Sequence, residues 1–414
     1  MGIEGKFRNG LRYIIVPLEQ KNNLVNISIF INVGSRDESE DKIGLSHYLE
    51  HMIFRGSKEY PSNNIIFQKF DSLGAQFNAH TDHDLTFYYS KSLSIHLKEI
   101  IKLWSSLLFN PCFEKKHFDK ERTVILQEIN NLRSNPSSEI WEPFEKLMFK
   151  GTQLEKGIGG TKETLNNITL DYLKKFYAKY YVPCNMSICI CGDITEDEAL
   201  KLLCNSLFQS KDSPKFSRDI PYKIPKKINS KGPKKCILTR KGQSNILIGF
   251  PSYDFGNLDK VAGQFMKNII AGLVSSRLFL SIRENRGLVY GISSDLNTYY
   301  EGGYYAIKTS TEPKYTSEVI NLITAEIKNI CSEGIQKDEF EKVKNYLYNK
   351  TFIYAEDINN LGLYYNKQLA YWTDIITYED YRESIKKITI TEVNDFCRSI
   401  LDINKMICVY TKPE

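Results

Sequence analysis

No stretch of this 414-residue sequence stays apolar for the roughly 18 to 20 residues that a helix needs to cross a bilayer, so an integral membrane protein is not expected. Blocks of like charge are missing too. The 55 basic and 50 acidic residues are interspersed, the net charge is +5, and no segment reads as a nucleic-acid-binding arm. Nine cysteines, an odd number without Cys-x-x-Cys spacing, make neither a disulfide framework nor a zinc knuckle, and reduced thiols in a reducing compartment follow. Cys189 and Cys191 alternate with apolar residues, which places both on one face of a buried strand as core filler. Neither the apolar core of a signal peptide nor an Arg/Ser-rich amphipathic presequence precedes the first strand pattern at 11–16, so the expected compartment is the cytoplasm. Histidine is scarce and one-sided: all six (His47, His51, His80, His83, His96, His117) fall in the first half.

What is present is a globular composition, 42% hydrophobic and 12% aromatic, in a chain too long for one ordinary core. The chain also repeats itself. Residues 168–176 recur in pattern at 388–396, each with a threonine N-cap candidate (Thr169, Thr389) before an apolar helical stripe, and each is followed by an apolar, cysteine-containing strand at 185–191 or 404–410. Upstream, the helix entry at 116–121 is matched in kind at 338–343. The expected fold is therefore α+β, with two homologous halves, each an antiparallel-rich sheet with helices packed on one face. A metal-binding domain is placed at 1–212, a Pro/Ser/Lys-rich linker at 213–235 and a second, homologous domain at 236–414. By the repeat offset Glu128 is opposed by Lys350, which repels a cation, so one active and one inert half are expected.

Within the helical pattern at 44–52, His47 and His51 are four residues apart and share a face at 3.6 residues per turn, so both can reach one metal ion. Glu50 borders that face as a general base. The order His-x-x-Glu-His inverts the thermolysin-type motif. Catalytic zinc needs a third protein ligand, commonly a carboxylate. A second strong helix pattern at 118–129 carries Glu121 and Glu128, seven apart on one face, and either can supply it.

Here the sequence resembles the pitrilysin and insulysin zinc peptidases, which include the mitochondrial processing peptidases. The resemblance rests on His47-Tyr48-Leu49-Glu50-His51, the following residues 52–57 with Phe54 among them, the Glu121/Glu128 pair, residues 33–38, Asn78-Ala79 and Gly192-Asp193. It implies that His47, His51 and Glu128 hold one zinc ion per chain, that Glu121 supports the site, and that Glu50 activates water for amide hydrolysis. The stretch 74–89 reads as an exposed edge strand able to bind a peptide backbone, and the family uses the position of Asn78 and Ala79 in this way. Where the family often has a following aromatic, this chain has His80. A second metal site at His80 and His83 is disfavoured, because residues three apart on a strand face opposite ways. In the second half, Arg283 and Tyr290 are similar to the family's Arg/Tyr pair, which implies donors to a developing oxyanion; on their own they read as a surface arginine and a half-buried tyrosine. The resemblance also implies a dimer, a homodimer or a heterodimer with a related subunit, acting on peptide substrates. The competing expectation is a non-catalytic scaffold subunit of the same fold.

Overall fold

The computed structural model of the chain describes residues 2–18, 22–213, 234–253, 260–300, 302–371 and 374–413. Apart from its ends, the linker expected at 213–235 lies outside these residues. Contacts divide the chain into two compact units. The first is Met1–Asn130, Lys156–Ile220 and Ile353–Thr377; the second is Asn131–Glu155, Pro221–Phe352 and Tyr378–Glu414.

The first unit is built on strands β1 (Ile3–Lys6), β2 (Arg12–Pro17), β3 (Leu24–Ile31), β4 (Gln76–Thr81), β5 (Thr86–Leu93) and β6 (Met186–Gly192). They lie in the order β1-β2-β6-β3-β5-β4, antiparallel except for the β2–β6 pair. Alternation along β3 sends Val25, Ile27, Ile29 and Ile31 to one face, where they meet the helices α1 (Leu45–Ile53) and α3 (Leu97–Phe109) in a core with Tyr48, Leu49, Met52 and Trp104. Burying each such side chain contributes about 1.5–3 kcal/mol. The helices α2 (Asn63–Ser72) and α4 (Lys115–Ser134) belong to the same layer.

The opposite face of this sheet carries small polar residues, Asn26 and Ser28 on β3 and Ser187 on β6, together with Cys189 and Cys191, all buried. A helix encoded near the C-terminus, Ile358–Ala370, covers it. Asn366 donates to the Ser28 carbonyl at 2.8 Å and accepts from the Ser187 hydroxyl at 2.7 Å, while Asn26 donates to the Asn359 side chain at 2.8 Å. Gly362 allows the close approach, because a Cβ there would stand 2.1 Å from Asn26 Oδ1.

The second unit repeats this plan with strands β7 (Lys234–Thr239), β8 (Ser244–Ser252), β9 (Val289–Tyr299), β10 (Gly302–Thr311) and β11 (Ile407–Lys412), in the order β7-β11-β8-β10-β9. Again one pair, β7–β11, is parallel. Ile246, Ile248 and Phe250 of β8 face the unit's main helices. Leu247, with Ile407, Val409, Tyr304 and Ala306, faces Ile140, Phe144 and Met148, two of them on the helix Trp141–Met148, which comes from the first half of the sequence.

Each half thus lends a helix to the other half's sheet. Contiguous boundaries at 212 and 236 leave residues 131–155 and 353–377 with the half that encodes them, whereas their apolar and polar faces are completed by the other sheet. Helices therefore lie on both faces of each sheet, the home helices on one and the lent helix on the other. The expected threonine caps are present: Thr169 Oγ1 accepts from Tyr172 N and Thr389 Oγ1 from Glu392 N.

Candidate metal centre

The helix α1 buries Leu45, Tyr48, Leu49 and Met52 and leaves His47, Glu50 and His51 partly open on its other side. Its N-cap, Gly44, has φ 101°, a left-handed conformation that suits glycine, and offers no side chain to its free N–H groups. Glu38 takes that part instead: its carboxylate accepts from Gly44 N at 2.7 Å and from Ser46 N at 2.6 Å. Burial pushes the Glu38 carboxyl up to about 8, with the bonds from Ser46 and Gly44 opposing. Tyr48 stacks on Phe118 of α4 at 4.6 Å and donates to the Phe118 carbonyl, which fixes α1 against α4.

That docking brings three ligand-type atoms together. His47 Nε2 and His51 Nε2 stand 3.2 Å apart, and Glu128 Oε2 lies 3.8 Å from the first and 3.6 Å from the second. Among the described residues this is the one group of three or more such side chains, its ligand atoms within 4.8 Å of one another. Ligands at zinc's usual ~2.0–2.1 Å in tetrahedral array are separated by roughly 3.3–3.4 Å, so little adjustment is needed. Glu121 is completely buried; it takes the other ring nitrogen of His51, Nδ1, at 3.1 Å and binds Arg55 at 2.6 Å through its second oxygen. A carboxylate on Nδ1 holds the proton there and turns the Nε2 lone pair to the centre.

The electrostatics also call for a cation. Burial, reinforced by His51, pushes the His47 imidazole down and keeps it neutral. Burial acts the same way on His51, but hydrogen bonds to Glu121 and Glu128 outweigh it and raise the group to about 9. Both carboxylates thus favour positive charge at this ring, in keeping with a cation at the centre. Zinc fits this donor set of two imidazoles and one carboxylate.

Glu50 stands beside the cluster rather than in it. Thr81 on β4 donates to its Oε2 at 2.5 Å, and burial raises its pKa. Glu50 and His51 line a cleft of 440 Å³ with Phe54, Arg55, Phe67, Asp71, Phe77, Asn78 and Ala79. The stretch read as a single edge strand from 74 to 89 is a hairpin: β4 is the edge, with Asn78 and Ala79 on it, and β5 is interior. The hairpin also separates the two histidines read together. His80 is exposed on β4, whereas His83 is buried in the turn, 2.7 Å from the Ser35 hydroxyl. In the second unit Arg283 lies over the Tyr290 ring at 5.8 Å and over Phe279 at 4.5 Å, and Tyr290 is 88% exposed rather than half-buried.

Sequence reasoning gave no role to Thr81, Arg55 or Glu38. Arg55 and Glu38 lie within the segments that carry the family resemblance, which was the available signal; Thr81 gave none, since its partner is 31 residues away.

The sequence model of the insulinase family (peptidase family M16) matches residues 13–162, and that of the peptidase M16 inactive domain matches 167–347. The second match falls on the part of the chain without histidine. A protein of Rickettsia bellii described as an uncharacterized zinc protease is 30% identical over 392 residues, covering 94% of this chain and 92% of the relative. A Bacillus subtilis uncharacterized zinc protease is 26% identical, covering 95% and 94%. Among solved structures, a protease from Helicobacter pylori superposes with a TM-score of 0.94 at 20% identity, covering 100% of this chain and 99% of its own. A peptidase M16 inactive domain structure from Pseudomonas fluorescens reaches 0.89 at 19% identity, covering 100% and 98%. With this relationship along nearly its full length, the chain belongs to the insulinase, or pitrilysin-type, family M16.

Proposed function

We propose that the protein is a zinc-dependent peptidase in which His47, His51 and Glu128 hold one metal ion and Glu50 is the general base. The observation that supports this most is the convergence of those three ligand atoms beside Glu50, at the head of a cleft. Held by His47, His51 and Glu128, a zinc ion would supply Lewis acidity towards the scissile carbonyl and the attacking water. Glu50 takes the proton of the attacking water and hands it to the leaving amine, and its burial-raised pKa suits both transfers. Thr81 aims that carboxylate, and Glu121 keeps His51 in the ligating tautomer. The outer edge of β4 pairs with no other strand among the described residues, so a substrate backbone can add to it alongside Asn78 and Ala79. Arg283 and Tyr290 are assigned as donors to the developing oxyanion, the chain as a cytoplasmic protein, and its assembly as a dimer with itself or with a related subunit. No described helix is long and apolar enough to cross a membrane.

Elemental analysis together with peptide cleavage tests the proposal. About one zinc per chain is expected. Glu50→Gln should keep the metal and lose turnover, whereas Glu128→Gln should lose the metal. A zinc-loaded protein that cleaves no member of a diverse peptide library would instead be a scaffold subunit.

A further inference from the structure

Thr81, which donates to Glu50, stands at the end of the edge strand β4, and that end is held by a buried polar cluster that takes no part in the metal centre. The hairpin turn at 82–85 lies against the tight turn Ser35–Asp37: Ser35 N donates to the Asp82 carbonyl at 3.2 Å and Arg36 N to the His83 carbonyl at 3.1 Å. The two backbones are in close contact, since a Cβ on Gly34 would stand 2.3 Å from each of those carbonyl oxygens. Side chains complete the joint. Ser35 Oγ and His83 Nδ1 are 2.7 Å apart, and one oxygen of the Asp84 carboxylate is 2.7 Å from Arg36 Nε. The other oxygen accepts at 2.7 Å from the hydroxyl of Tyr371, 287 positions away in sequence at the C-terminal end of the helix Ile358–Ala370. Ser35, His83 and Asp84 are completely buried, so a shift of one is passed to the others.

We infer that Tyr371 is a positioning residue for Glu50, acting through Asp84 to fix the turn that presents Thr81 to the base. The inference rests on the peptidase reading for what Glu50 does, not for the clamp itself. Two routes lead from the cluster to the base. Back along the chain from Asp84 is Thr81, whose hydroxyl reaches Glu50 Oε2 at 2.5 Å. Onward from Arg36 is Glu38, whose carboxylate caps α1 through Gly44 N and Ser46 N. The helix that carries the base and the strand that carries its partner are therefore both set from the Arg36–Asp84 ion pair. Among the described residues β4 pairs with β5 alone, so the ladder braces one side of it and the turn has to fix its end. Bonds at both oxygens of Asp84 settle the plane of the carboxylate as well as its place, and one of the two comes from Tyr371. The half of the sequence without histidine thereby takes part in aiming the base.

The test compares zinc-loaded wild type with Tyr371→Phe, which keeps the ring and removes the hydroxyl. In peptide cleavage kcat should fall roughly 5- to 50-fold, less than the ~100-fold that a 1 Å misplacement costs, with KM and zinc content unchanged. In a Thr81→Val background, where the bond to Glu50 is already gone, the same change should alter kcat by less than about twofold, whereas a general loss of structure would repeat itself in full. Asn359→Ala loosens the same helix at its other end, where Asn26 is bonded, and should leave kcat as it was. A second readout needs no turnover. With threonine methyl groups isotopically labelled, the Thr81 resonance, assigned by its loss in Thr81→Val, should move in Tyr371→Phe and stay in place in Asn359→Ala. The inference is overturned if that resonance stays in place in Tyr371→Phe, if kcat remains within about twofold of wild type, if the loss persists in the Thr81→Val background, or if Asn359→Ala has the same effects. If the resonance moves as expected while the wild-type protein cleaves no peptide, the peptidase reading falls and the clamp stands.

Discussion

Replacing Glu121 by glutamine isolates what a buried carboxylate does for a metal site that it does not enter. Glu121 is completely buried, with one oxygen 3.1 Å from His51 Nδ1 and the other 2.6 Å from Arg55. An amide has one accepting oxygen. Turned towards Arg55, it presents its NH₂ to the Nδ1 proton of His51 and expels it, and the ring can then hold its proton on Nε2, where the metal should bind. Turned towards His51, it sets the NH₂ against a guanidinium. The first outcome weakens zinc by roughly 10- to 100-fold, the usual loss when such an outer partner is removed, which corresponds to about 1.4–2.8 kcal/mol. In either orientation Arg55 loses its counter-charge. Its side chain keeps 20% of its surface in water, so the stability loss belongs below the usual ~3–5 kcal/mol for breaking a buried pair, at about 1–3 kcal/mol. Chelator competition reads the zinc affinity and urea denaturation of metal-free protein reads the stability. An affinity within twofold of wild type would refute the argument that Glu121 sets the His51 tautomer, whatever happens to stability.

Tyr290→Phe should lower kcat by roughly 10- to 1000-fold with zinc content unchanged if its hydroxyl donates to an oxyanion; equal kcat and KM in Tyr290→Phe and Arg283→Ala would return both to the surface. Glu38 has its folded pKa raised to about 8 from the ordinary 4.5, so its contribution to stability is full below about 4.5 and is lost as pH rises through about 8. The urea midpoint of wild type relative to Glu38→Gln should therefore decline across that window, and a difference that is flat with pH would mean that Glu38 is already ionised in the fold. Gly362→Ala places a Cβ 2.1 Å from Asn26 Oδ1, whose side chain is buried and hydrogen-bonded, and should cost about 1–3 kcal/mol by denaturation; a neutral result would show that the lent helix shifts freely on its sheet.

The paired histidines were legible because helix periodicity is a local property: residues four apart share a face whatever surrounds them, so the pairing of His47 and His51 follows from the chain alone. The same holds for Thr169 and Thr389, whose caps need only the next three residues, and for the duplication, which is a property of order. Between the two glutamates of α4 local periodicity is silent, since both project from one face. The stacking of Tyr48 on Phe118 sets how α1 lies on α4, and with it which glutamate meets His51 Nε2 and which meets Nδ1. Thr81 beside Glu50 and Arg55 beside Glu121 are likewise partnerships made across elements by packing. The exchange of helices between the halves was hidden for a related reason. A strand's periodicity says that both its faces are filled but does not say by what, and the buried serines and asparagines of β3 and β6 become a docking face only when Ile358–Ala370 brings Asn359, Gly362 and Asn366 to them.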